Sequence, residues 1–399
     1  MCMATKLIRW LAVLCAVAML AAACSTDSNA APDATAETDT SDTTVGDTES
    51  TEEATTPEPT TSTEPPAATG DPDSPETGEP VATEGELVAA TVEPFTAPSD
   101  DLVLEGDLYL PAGPGPHPAV VLIHGSGPVD RTSAVAATLG ITFPAAIPIF
   151  TDIATTLQAE GIAVAVYDKR SCATFNGCGD NSYLVSELGD VLVTDFQRDA
   201  EAVVATMRAR DDISAVSVAG HSQGGQFVPW MLAADPELTA GILLAAPARP
   251  IDVSLTEQAA ALRTLPGGDV AAQGLEASLG GVIDLRNGDE SNLPLFASAD
   301  FFRSWFAITD DLPTIVGDIT QPILALNGDF DLNVGADHLA DWDALLSDAG
   351  VDVDVQILPC VTHLLNCIDA PLLDAGLEDL GTAVTPAITD AMIDFLQAT

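Results

Sequence analysis

Basic residues are scarce in this chain of 399 residues: 12 Lys and Arg stand against 61 Asp and Glu, a formal net charge of −49. Such a surplus repels phosphates, which argues against nucleic acids and anionic lipid surfaces as partners. Aromatic side chains are few, at 5% of the sequence. The apolar stretch from Trp10 to Ala23 is too short to span a bilayer. No pair of cysteines has Cys-x-x-Cys spacing, so the usual zinc signature is missing and no metal or organic cofactor is expected. Residues 25 to 90 lack Lys and Arg altogether and carry 17 acidic residues among Thr, Pro, Ser and Ala. Self-repulsion and a shortage of apolar groups leave nothing there to offset chain entropy, so the segment reads as a disordered tether.

The N-terminus, by contrast, has the composition of an export signal. Lys6 and Arg9 precede the apolar segment, which runs into Leu20-Ala21-Ala22-Ala23-Cys24. That junction is similar to a bacterial lipoprotein signal, in which Cys24 becomes the lipidated first residue; the alternatives are simple cleavage after the alanines and an uncleaved anchor. The expected organisation is a signal peptide over 1–23, a tether over 24–90 and one catalytic domain over 91–399. The expected location is extracytoplasmic, with a lipid anchor as the only membrane contact. Acidic surplus continues into the domain, where 44 acidic residues face 10 basic ones.

Buried strands are legible as continuous apolar runs: Pro118 to Ile123, Ile162 to Val166, Ala215 to Ala219, Gly241 to Ala246, Ile323 to Leu326 and Val353 to Leu358. Helical patterns separate them, as in Leu192, Phe196, Val203 and Met207. Strands of this kind alternating with amphipathic helices predict an α/β fold, a mostly parallel sheet covered on both faces. Directly after one strand comes Gly220-His221-Ser222-Gln223-Gly224. A Gly-x-Ser-x-Gly between strand and helix describes a turn so tight that small residues must flank the serine, which lifts its hydroxyl clear of the sheet edge. Pro229 falls inside the following helix, where a local bend is expected.

Four segments in order, Val121-Leu122-Ile123-His124-Gly125-Ser126-Gly127-Pro128, Tyr167-Asp168-Lys169-Arg170, Gly220 to Gly225 and Leu326-Asn327-Gly328 with Asp331, resemble the esterase branch of the α/β-hydrolase superfamily. Dienelactone hydrolases and prolyl-oligopeptidase-like serine peptidases are among its members. The resemblance covers about residues 91 to 399. It implies a nucleophile, an acid and a base in that chain order. Ser222 would be the nucleophile. Two histidines follow it: His363 lies just past the last strand and is the expected base, whereas His338 falls within a helical stretch and reads as a surface residue. Asp331 is the expected acid, with Asp329 as its competitor and helix capping as the bland alternative for Asp331. The N–H groups of Gln223 and Ser126 would stabilise the oxyanion. The sequence departs from its relatives at Ser171-Cys172, where a glycine usually stands, and in a long apolar loop from Asp130 to Pro148.

The remaining expectations concern the pocket. His124 is read as contributing backbone geometry and Tyr167 to Arg170 as an ion-paired turn. Cys172 with Cys178 and Cys360 with Cys367 form two local pairs, which an oxidising compartment would close as disulfides. Residues 248–320 are more than the core requires and are expected to form a helical cap. Phe301, Phe302, Trp305 and Phe306 would cluster there, with Leu285, Leu293, Leu295 and Phe296 as possible company. The leading expectation is a serine hydrolase that cleaves small-molecule carboxylic esters through an acyl-enzyme. A peptidase or thioesterase of the same fold, or a non-catalytic surface-binding lipoprotein, are the alternatives.

Overall fold

A computed structural model describes residues 88–100, 102–127, 129–133, 147–172, 178, 190–265, 268–292, 297–368 and 383–399. The expected signal peptide, Cys24, nearly all of the tether, Leu293, Leu295, Phe296 and most of the loop between Asp130 and Pro148 lie outside these residues.

Eight strands form one sheet in the order β1-β2-β4-β3-β5-β6-β7-β8. They are β1 (Thr91–Ser99), β2 (Leu102–Leu110), β3 (His117–Ile123), β4 (Ala163–Tyr167), β5 (Ile213–His221), β6 (Gly241–Leu244), β7 (Ile323–Gly328) and β8 (Val353–Leu358). From β4 through β3 to β8 every neighbouring pair is parallel, and the first two strands add an antiparallel edge. All six expected strands are present; five are largely buried and so carry little polar alternation, whereas β8, at the edge of the sheet, alternates with Asp354 and Gln356 and has no buried residue. The pair β1–β2 was not anticipated. Pro94 and Pro98 fall within β1, which is the edge strand, and β2 alternates buried with partly exposed residues, as a strand covered on one face does.

Helices α1 (Ile149–Ala159), α2 (Val193–Arg208), α3 (Gln223–Ala234), α4 (Ile251–Thr264), α5 (Asp269–Arg286), α6 (Ala299–Asp310), α7 (Leu312–Ile315), α8 (His338–Asp348) and α9 (Pro386–Ala398) complete the fold. The sheet separates two apolar cores. Ile149, Phe150, Ile153 and Leu157 of α1 join Ile388 and Met392 of α9 on one face. On the other, α2, α3 and α8 pack Phe196, Val203, Phe227 and Trp342 against the sheet. Helix α3 runs through Pro229 without interruption. Helices α4 to α7 all fall between β6 and β7, within the stretch expected to be an insertion. Neighbours of β3 diverge, β4 to one side and β5 to the other, and ligands in open α/β sheets bind outside the strand ends at such a reversal.

Candidate active site

Ser222 sits at that reversal, between the end of β5 and the start of α3, with φ 53° and ψ −121°. A non-glycine residue held there costs about 1–3 kcal/mol and persists only when its surroundings enforce it. The enforcement is visible. A Cβ on Gly220 would lie 2.2 Å from Gly224 O, and one on Gly224 would lie 2.3 Å from Ile123 O. Neither glycine can be replaced without moving backbone, which is why the elbow has its spacing. Ser222 N–H donates to Leu244 O at 2.8 Å, tying the elbow to the next strand. Gly125 abuts it from the other side: a Cβ there would come within 3.1 Å of Ser222 Cβ. The β3 loop and the elbow are thus in contact, and Ser126, Ser222 and Gln223 line one pocket. As the first residue of α3, Gln223 has a backbone N–H without an intrahelical acceptor.

His363 and Asp331 meet at the same end of the sheet. His363 Nδ1–H donates to Asp331 Oδ2 at 2.8 Å, and both side chains are buried. The other oxygen of Asp331 accepts from the backbone N–H groups of Asn333 and Val334 at 2.8 and 2.9 Å. This fixes the carboxylate and so fixes the plane of the imidazole. Asp329, the competing acid, is turned elsewhere, accepting from Cys360 N–H at 2.7 Å. The two aspartates therefore divide the work: one orients the imidazole while the other anchors the loop that carries it. The imidazole loop is also held from the elbow, because His221 Nε2–H donates to His363 O at 2.8 Å. Burial and the neighbouring His363 push the His221 pKa down to about 3, so it stays neutral and keeps that bond. A disulfide joins Cys360 to Cys367 across the loop, with their Cα atoms 4.8 Å apart. A second disulfide joins Cys172 to Cys178.

The insertion supplies the far side of the pocket through Ile251 and Leu255 of α4 and Phe302 and Trp305 of α6. Trp305 Nε1–H donates to Gln226 Oε1 at 2.8 Å, and Gln226 Nε2 donates to Pro247 O at 3.1 Å, which locks α6 onto α3. The aromatic cluster is thus both packing and pocket wall; Phe301, Phe302 and Trp305 contact one another ring to ring.

Three histidine and lysine positions differ from, or refine, what the sequence implied. His338 is not on the surface: it is 1% exposed, accepts from Ala248 N–H at 3.0 Å and donates to Glu257 Oε2 at 2.9 Å. The inserted α4 covers a helix face that, read alone, looked solvent-facing. His124 behaves as a structural residue, donating through Nε2 to the Tyr167 carbonyl and stacking on Phe150, and burial lowers its pKa to about 4. Within the Tyr167–Arg170 turn, Asp168 pairs with Arg131 at 2.6 Å and Arg170 with Asp199 at 2.6 Å, as an ion-paired turn should. Lys169 instead points inward to Gly125 O and Gln223 Oε1. Its signal in the sequence was rarity: the only other lysine is Lys6. Among the described residues the one cluster of metal-capable side chains is Asp168, Cys172 and Cys178, whose sulfurs are bonded to each other and whose carboxylate is engaged by Arg131.

The model of the serine aminopeptidase S33 family (Hydrolase_4) matches residues 147–365, more than half of the chain and the whole span from α1 through His363. The chain belongs to this family. Esterase EstD of Thermotoga maritima is 30% identical over 264 residues, which is 66% of this chain and 58% of that protein. The chain thus spans less than two thirds of the length of that relative. Solved structures similar to this S33 member include the Est1E protein of Butyrivibrio proteoclasticus with ferulic acid bound, at 20% identity and a TM-score of 0.47 over 76% of this chain and 98% of that one. Another is the acylaminoacyl peptidase of Pyrococcus horikoshii, at 14% identity and a TM-score of 0.46 over 77% of this chain and 42% of that one.

Proposed function

We propose that this protein is an exported serine hydrolase that cleaves small carboxylic esters through an acyl-enzyme on Ser222. The observation that carries the reading is the buried His363–Asp331 pair at the same end of the sheet as a serine held at positive φ. Ser222 Oγ attacks the ester carbonyl while His363 Nε2 takes its proton; Asp331 holds Nδ1–H and stabilises the imidazolium. The N–H groups of Ser126 and Gln223 receive the oxyanion, each donor contributing roughly 3–4 kcal/mol in hydrolases where it has been removed. His363 then protonates the leaving alkoxide, and water repeats the sequence to release the acid. An apolar wall of Ile251, Leu255, Phe302 and Trp305 suits acyl or aryl groups. Export rests on the basic and apolar leader ending at Cys24, with lipid attachment there as the anchor.

The family's description favours an aminopeptidase as a second reading. An aminopeptidase must hold the ammonium of its substrate, and that calls for a carboxylate in the pocket. Among the described residues lining the pocket beside Ser222 there is no Asp or Glu. Ester cleavage therefore ranks first. The test is a fluorophosphonate probe together with p-nitrophenyl esters and aminoacyl p-nitroanilides. Labelling and ester turnover are both expected to vanish in Ser222→Ala, a loss of at least about 10³-fold. A wild-type protein that takes no label would establish a binding role instead, and faster anilide than ester turnover would favour the peptidase.

A further inference from the structure

Lys169 is 3% exposed, and its ammonium makes no ion pair among the described residues. Burying a cation with no carboxylate in direct contact costs several kcal/mol, and an apolar side chain of the same length would avoid that cost. The contacts of Nζ indicate what the charge is doing there. It donates to Gly125 O at 2.6 Å and to Gln223 Oε1 at 3.2 Å, and it lies 4.2 Å from the centre of the Phe196 ring. Gly125 C=O belongs to the same peptide unit as the Ser126 N–H. A peptide is one conjugated group, so a cation on its oxygen draws electron density from its nitrogen and strengthens the N–H as a donor. The second contact falls on Gln223, whose own backbone N–H is the other oxyanion donor, and it fixes which way that buried side-chain amide is turned. One ammonium thus contacts the peptide that carries one donor and the side chain of the residue that carries the other.

We propose that Lys169 is a positioning residue for the oxyanion: its ammonium polarises the Gly125–Ser126 peptide and holds Gln223, so that negative charge forming on the substrate carbonyl meets an amide backed by a full positive charge. The proton stays on Nζ throughout. This rests on the acyl-enzyme reading of Ser222. Because the interaction strengthens as the oxyanion forms, it acts on kcat more than on KM.

A pH dependence follows. Burial lowers the Lys169 pKa to about 7, with Asp199 on α2 opposing the shift. The other charged or titratable groups around it are His124 at the end of β3, kept neutral by burial, and the chain neighbours Asp168 and Arg170, engaged with Arg131 and Asp199. As pH rises above about 7 the ammonium is lost, the polarisation weakens, and turnover falls.

The test compares the full chain as wild type, Lys169→Met, Lys169→Arg and Ser222→Ala with p-nitrophenyl butyrate from pH 6 to 9. At pH 6, Lys169→Met is expected to lose about tenfold in kcat, with KM within about twofold and inhibition by phenylboronic acid, which binds as a tetrahedral anion, weakened in parallel. Its rate should no longer fall above pH 7, and Lys169→Arg, charged at every pH tested, should keep its activity at pH 9. An unchanged kcat in Lys169→Met, or a loss confined to KM, overturns the proposal. Should Lys169→Met fail to fold, ¹³C-lysine NMR of the wild type decides, since only two lysines report. Added phenylboronic acid should raise the Lys169 titration midpoint, and an unmoved midpoint overturns the proposal. Failure of the acyl-enzyme reading has a separate signature, namely ester turnover that survives Ser222→Ala.

Discussion

Asp329 and Asp331 are two positions apart in one loop, and their carboxylates differ only in what surrounds them. Asp331 accepts two backbone N–H groups on one oxygen and the imidazole on the other, whereas Asp329 accepts a single N–H from the base-bearing loop. Asp331→Asn should leave the loop in place but lose the carboxylate that fixes the tautomer and stabilises the imidazolium, cutting kcat by roughly 10³- to 10⁴-fold. Asp329→Asn should cost less than about tenfold, because it retains an oxygen to accept the Cys360 N–H. Steady-state kinetics on the two variants separates the roles, and equal losses would contradict the assignment. A stability consequence belongs to this scale as well. His124 and His221 have folded pKa values near 4 and 3, below the ordinary imidazole value, so the unfolded chain binds more protons between about pH 4 and 6.5. Stability therefore rises with pH through that window and is lost on acidification.

At the scale of elements, the site is a meeting of four loops: those after β3, β5, β7 and β8. Most of the strands were readable because each is a short, largely apolar run, and the elbow was readable because its glycines are demanded by backbone contacts closer than a Cβ permits. The β1–β2 edge was not, since prolines and alternation hide a strand that is covered on only one side. Nor was the environment of His338, which depends on α4 being folded over α8. The last loop, between Cys360 and Cys367, carries His363 and is closed by a disulfide and the Val361–Cys367 bridge. Cys360→Ser with Cys367→Ser should lower stability by about 2 kcal/mol, the entropy of closing so short a loop. Activity should fall further than stability does, because the imidazole loses its rigid mount. Thermal melts beside ester kinetics test this, and full activity in the double variant would show that the backbone bonds alone suffice.

For the whole molecule the dominant fact is charge. Each arginine of the domain collects at least two acids, as Arg249 does with Glu257, Asp337 and Asp341 at 2.6 to 2.7 Å, yet acidic residues still outnumber basic ones 44 to 10 over residues 91–399. At low ionic strength these repel over about 30 Å, at 1 M salt over about 3 Å. The melting temperature should therefore rise between 10 mM and 1 M NaCl, by roughly 5 °C for a gain of about 2 kcal/mol; identical melts would show the surplus to be harmless. Amino-acid order alone determined the parallel sheet, the serine on its elbow, the histidine beyond the last strand and the cysteine pairs, because each depends on local periodicity, turn sterics or short separation along the chain. Tertiary structure decided which aspartate faces the imidazole, that His338 is buried, and that Lys169 reaches the loop after β3. Those are contacts between segments distant in sequence, fixed by how helices and loops pack on the sheet rather than by any pattern within them.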